Sequence, residues 1–197
     1  RNKDYKSLVE NMVKGLDEWS FSDGSMKDRT TRGNRALWYH SNALGEAFII
    51  LEIAKIANVK IPNSLETKLL KAAELFNDAY LDHSVIEPWA KKRHNSQASN
   101  GRQEFNSNLD SVSFYSSWMQ IFQLRYPEHR TAKWLNQELT SRAQSLKSNV
   151  VTGVPIGCIS KALADSSPES KAKVKAQQIK ASSELSIFEV DGQTFSL

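Results

Sequence analysis

The chain has 197 residues and a mass of 22.2 kDa, with 40% hydrophobic residues, 26 Lys and Arg against 22 Asp and Glu, a formal charge of +4 and a pI near 9.1. Its length and apolar content suit one globular domain with a real core; the single Cys158 excludes an internal disulfide, and one cysteine with four scattered histidines makes no zinc site. No apolar run reaches the roughly 18 residues of a membrane span, and the mild basic excess favours an anionic partner of open kind: nucleic acid, anionic lipid or acidic polysaccharide.

Residues 2–19 place Tyr5, Leu8, Val9, Met12, Val13, Leu16 and Trp19 at three- and four-residue spacing, which predicts an amphipathic helix. The segment SFSDGSMKDRTTRGN then breaks the pattern. Residues 35–58, RALWYHSNALGEAFIILEIAKIAN, are too long for a buried strand and predict a helix of about six turns. Pro62 opens a third helix carrying Leu65, Leu69, Ala72, Ala73, Leu75, Phe76 and Tyr80. A short element follows at 84–93. The polar stretch RHNSQASNGRQEFNSN reads as an inter-helix loop of the size of a mobile lid.

Residues 108–125 and 129–147 predict a fourth and a fifth helix, with Tyr126 and Pro127 marking the turn between them. Beyond them, VVTGVPIGCISKAL reads as a short strand and helical turn with a buried Cys158. SSPESKAKVKAQQIKASS reads as an exposed helix or flexible stretch, and LSIFEVDGQTFSL as a small hairpin around Asp-Gly or a surface that packs on a partner. Consecutive helices with short connectors predict an all-α fold with antiparallel neighbours. The division expected is a helical domain over 1–165 and a less regular extension over 166–197.

At about 100° per residue, Arg32, Arg35, Tyr39, Asn42 and Glu46 fall within a sector of roughly 80°, while Leu37, His40, Leu44, Ala47, Phe48 and Leu51 occupy another arc. Spacing alone leaves two readings open: a solvated helix face, or a site. His40 reads first as a partly buried structural histidine and second as a substrate contact. Trp38 reads as core or rim packing, or as a face on which a sugar ring stacks.

The run RTTRGNRALWYHSNAL, preceded by SDGS and followed by an apolar helix ending IANVKIP, resembles the DG…R-x-x-R-A-L-x-Y-H-x-x-A-L signature of mannuronate (alginate) lyases of the α/α-toroid class. The likeness is strongest over residues 20–62, can be followed to about residue 164, and is absent beyond. It implies an incomplete α/α toroid and β-elimination on an acidic, mannuronate-rich polysaccharide without a cofactor, in a periplasmic or secreted setting. It also implies catalytic roles for Arg32 and Tyr39. Arg32 matches the position that neutralises the sugar carboxylate, a task a guanidinium performs with two parallel hydrogen bonds. Tyr39 matches the position that takes the C5 proton and returns one to the leaving glycosidic oxygen. A free phenol titrates near about pH 10, so such a base needs positive charge beside it. Arg35, one turn earlier, either supplies that charge or anchors the helix to a loop. Arg35, His40, Asn42 and Trp38 are the expected substrate contacts.

Two features of the family pattern are missing. Its Asn-His pair on an earlier helix has no counterpart in residues 1–19, and its Arg-Leu-Gly-Gly motif aligns with SNVVTGVP, which has no arginine; Arg142 or Lys147 are the nearest substitutes. The chain starts at Arg1 rather than Met and is read as processed, truncated or excised from a longer protein. The expected partners are therefore an acidic polysaccharide and a second chain or segment that completes the site. Nucleic acid rests on charge alone, without a zinc-finger spacing, a phosphate loop or an arginine tract, and is not expected. The alternative is a catalytically degenerate lyase-like module that serves as a binding or structural subunit.

Overall fold

The computed structural model describes residues 2–92, 100–105 and 118–140, together with the strand residues 187–190 and 193–196. The expectations for Cys158, Arg142, Lys147, residues 106–117, and the segments 148–163 and 166–183 lie outside the described residues. The fold is mostly helical: α1 (Asn2–Trp19), α2 (Ala36–Ile56), α3 (Asn63–Leu81), the single turn α4 (Glu87–Ala90), α5 (Trp118–Arg125) and α6 (Arg130–Thr140). Short 3-10 turns at Gly33–Arg35 and His83–Ile86 lead into α2 and α4. The chain forms two compact units, Arg1–Gly157 and Cys158–Leu197. The second contains β1 (Ile187–Val190) and β2 (Gln193–Ser196), paired antiparallel with Phe188 opposite Phe195 and Val190 opposite Gln193. No helix among the described residues is long and apolar enough to cross a membrane.

The central element is α2, which packs against α1, α3 and α5. Its sequence explains this position, because Leu37, Leu44, Phe48 and Leu51 are spaced to fill one side while the small Ala43, Ala47 and Ala54 let neighbours approach on others. The helix stops where Asn58 takes a left-handed conformation (φ 52). There Val59 N–H reaches the Ala54 carbonyl (2.8 Å) and Asn58 N–H the Lys55 carbonyl (3.2 Å), closing off the last turn. Pro62 stands one residue before α3 rather than in its first turn. Its backbone is extended (ψ 137), and its carbonyl receives the Glu66 N–H.

Aromatic rings tie α2, α3 and α5 together. Trp118 is fully buried, stacked on Phe48 at 6.0 Å and edge-on to Phe76 at 5.3 Å, and its indole N–H donates to Ser41 Oγ at 3.1 Å. Such pairs add about 0.5–1.5 kcal/mol each beyond their buried area. The α1 stripe is divided. Val9, Val13 and Leu16 are buried, whereas Tyr5, Leu8 and Trp19 are about half exposed, because the stripe is wider than the face that α2 and α3 offer it.

Candidate functional site

The loop between α1 and α2 is a built structure, and it aims Arg32. Asp23 Oδ1 accepts the backbone N–H of Ser25 (2.9 Å) and its hydroxyl (2.6 Å), while Oδ2 accepts the indole N–H of Trp89 on α4 (3.0 Å). Burial pushes the Asp23 carboxyl upward, but these bonds and the nearby Lys92 charge outweigh it and hold the group below its ordinary value. Gly24 has φ +85, and a Cβ there would stand 2.6 Å from the Lys71 carbonyl oxygen of α3. The Asp-Gly pair is thus a turn pinned to α3 and α4. Gly24→Ala is expected to destabilise the fold by more than about 1 kcal/mol, as a lower midpoint in chemical denaturation would show.

Further along, Asp28 is left-handed (φ 57), and its carbonyl accepts Arg32 Nε at 2.8 Å. The Arg32 guanidinium lies over the face of Tyr39, 4.6 Å from the ring centroid. Trp38 is tilted against Tyr39 at 6.0 Å, and the Arg35 guanidinium stands 5.8 Å from a Trp38 ring. Of the residues expected from the sequence, Arg32, Arg35, Trp38 and Tyr39 therefore come together, at the first turn of α2. That turn has no acidic residue, so the positive end of the helix dipole adds to the two arginines.

Arg35 is not a free cation. Its Nε donates to Glu104 Oε2 at 2.7 Å, and this bond raises the guanidinium further above its ordinary value, with Tyr39 acting in the same direction. Glu104 belongs to a strap, residues 100–105, laid across the start of α2. Gln103 Oε1 accepts Leu37 N–H (3.0 Å), Gln103 Nε2 donates to the Gly33 carbonyl (3.1 Å), and Glu104 N–H donates to the Asn34 carbonyl (2.6 Å). Gln103 is 3% exposed, so it caps a helix start that no neighbouring side chain caps. Gln103→Ala is expected to cost about 1–2 kcal/mol in unfolding free energy, measurable in urea. The strap falls in the stretch expected to be a loop of lid size. Nothing in its composition announces that it holds the helix 66 residues earlier.

Two expected substrate contacts are buried. His40 is 0% exposed, and both ring nitrogens are engaged: Nε2–H donates to the Ala72 carbonyl of α3 (2.8 Å), and Nδ1 accepts the Thr30 hydroxyl (3.1 Å). Burial lowers its pKa from 6.5 to about 4, leaving a neutral ring that links the loop to α3 and does not reach the surface. The substrate-contact reading of His40 is corrected on that ground. Asn42 is 8% exposed, and its Oδ1 has no hydrogen-bond partner among the described residues. Glu46, on the same face as Tyr39, pairs with Arg29 at 3.4 Å. Among the described residues no three of His, Cys, Asp and Glu are grouped to hold a metal ion.

An arginine on the face of a half-buried tyrosine, beside a helix N-terminus and an indole, is suited to an anionic ring-shaped ligand. The guanidinium has donors left for a carboxylate, and the phenol lies next to it. No family model, curated protein or solved structure matches the chain.

Proposed function

We propose that the chain carries the arginine-tyrosine half of a polysaccharide lyase site, acting by β-elimination on an acidic, mannuronate-rich polysaccharide, in a toroid-type helical fold. The observation that carries this reading is the Arg32 guanidinium held 4.6 Å over the Tyr39 ring, in the order and spacing of the signature that the sequence resembles. Arg32 pairs with the uronate carboxylate and makes the C5 proton more acidic. Tyr39 takes that proton; the electron pair forms the C4–C5 double bond as the C4–oxygen bond breaks, and the leaving oxygen is protonated. A second segment or chain bearing an Asn-His pair completes the charge stabilisation, in keeping with a periplasmic or secreted setting.

The test is the ultraviolet absorbance of the unsaturated product on incubation with polymannuronate. A second reading, binding without chemistry, is favoured by the Arg35–Glu104 pair, which offsets the second positive charge near Tyr39. It predicts measurable binding of polymannuronate with no absorbance change, both alone and with the completing segment. Neither binding nor absorbance in any of these mixtures refutes both readings.

A further inference from the structure

The fold uses only half of the apolar surface of α1. Val9, Val13 and Leu16 are buried on the side that meets α2 and α3. A second row, Tyr5, Leu8, Met12, Gly15 and Trp19, repeats at alternating three- and four-residue steps within a sector of about 80°. In this row Leu8 is 58% exposed and Tyr5 and Trp19 about half, and the exposed Phe21 extends it past the helix end. The other large exposed apolar residues, Ile56, Leu81 and Leu124, sit singly on three different helices, so the row on α1 is a patch rather than the usual scatter. The patch contains a hole. At Gly15 a side chain would meet nothing within 4 Å, and beside it a cavity of about 220 Å³ is walled by Met12, Leu16, Trp19, Met26, Ala43 and Ile50. At its rim stands Lys27, whose backbone N–H donates to the Trp19 carbonyl at 2.8 Å. Lys27 has no ion-pair partner among the described residues, and neither has Asp4 in the first turn of α1.

We infer that this face is an interface between two copies of the chain, packed α1 against α1 and antiparallel, about a two-fold axis at Met12. The row is complementary to itself when reversed. Turning it about Met12 lays Leu8 over Gly15 of the other copy and Tyr5 against Trp19, so each projecting leucine enters the other copy's hole. Parallel pairing sets Leu8 against Leu8 and leaves both holes empty. The charges select the same direction. Lys27, fixed at the Trp19 end, is brought to the end of the other copy where Asp4 stands, and the symmetry forms this pair twice. Glu18 stays engaged with Lys14 of its own helix at 4.0 Å. A lipid surface suits the face less well, because α1 carries four acidic residues against three lysines, whereas helices that lie on membranes are rich in Lys and Arg. The inference is independent of the chemistry proposed for Arg32 and Tyr39.

The experiment is sedimentation velocity of the full chain over a concentration series, with circular dichroism of each sample to show that it is folded. The parent is expected to pass from monomer to dimer as concentration rises. Leu8→Asp places a charge in the hole and is expected to raise the dissociation constant by about a hundredfold, and Gly15→Leu, which fills the hole, is expected to act likewise. Both positions are open in the single chain, so neither change disturbs its core. Asp4→Lys and Lys27→Asp are each expected to weaken association about tenfold, and their combination to restore it, as only the antiparallel pairing allows. A chain that stays monomeric at every concentration overturns the inference. A dimer untouched by Leu8→Asp and Gly15→Leu forms through another face and overturns it as well. Failure of the combined charge exchange to restore association removes the antiparallel arrangement. A parent that stays monomeric but binds phosphatidylglycerol vesicles, and loses them with Leu8→Asp, gives the face to a lipid surface instead.

Discussion

Tyr39→Phe is expected to abolish the unsaturated product from polymannuronate while leaving the unfolding free energy within about 1 kcal/mol of the parent. The substitution is selective because of how the ring is held. Arg32 lies over its face at 4.6 Å and Trp38 lies against it at 6.0 Å, and phenylalanine keeps both contacts. Only the hydroxyl is lost, and it makes no hydrogen bond among the described residues, so folding loses little while the proposed proton transfer loses its carrier. Arg32→Ala is the complementary change. It removes the proposed carboxylate partner and is expected to lower the kcat of the proposed reaction by about 100- to 1000-fold, with Arg32→Lys intermediate because an ammonium keeps the charge without the planar fork. Product formation that survives Tyr39→Phe assigns the base to another group, and denaturation curves on the same samples separate lost chemistry from lost fold.

The helices were readable because their signal is local. The arc Leu37, Leu44, Phe48, Leu51 is recorded in the spacing of α2, and the same residues are buried. Asn58 is an ordinary left-handed stop. What periodicity does not contain is which distant residue meets which. Arg35 had two open roles from its position, and the bond that ties it to a loop is made by Glu104, 69 residues later in a polar stretch without pattern. His40 was readable as a core residue, but the Thr30 hydroxyl and the Ala72 carbonyl that consume its nitrogens belong to a loop and to another helix. Likewise the α1 pattern shows one apolar stripe, and only its neighbours decide that Val9 is covered and Leu8 is not. The adjacency of Arg32 and Tyr39 lies between these cases: seven residues put them on one face, while the contact depends on the turn at Asp28 that carries Arg32 back.

His40 also makes stability depend on pH in a range where few other groups titrate. Its pKa falls from 6.5 to about 4 on folding because burial penalises the charged ring, only partly offset by the bond to Ala72. Above pH 6.5 the ring is neutral in both states and the native contacts count in full. As the pH drops below 6.5 the unfolded chain takes up the proton first, and stability is lost until the folded ring is protonated near pH 4. The expected loss is about 2 kcal/mol by about pH 5 and approaches about 3 kcal/mol over the whole window. Asp23 and Asp78, both lowered on folding, stabilise the native state above their ordinary range and lose that contribution only at lower pH, so they do not produce the effect. His129 shifts in the same direction through burial but is partly exposed beside Glu74, and His129→Gln should leave most of the slope. His40→Gln should flatten it and lower stability at neutral pH, since the Thr30 hydroxyl or the Ala72 carbonyl loses its partner. Urea titrations at pH 7 and pH 5 on the three proteins decide the matter, and a parent slope that survives His40→Gln sinks the assignment. Because Thr30 lies two residues before Arg32, protonation of this one ring is expected to loosen the loop that carries the guanidinium over Tyr39, so the lyase activity proposed for this pair is expected to fall on the acid side together with the fold.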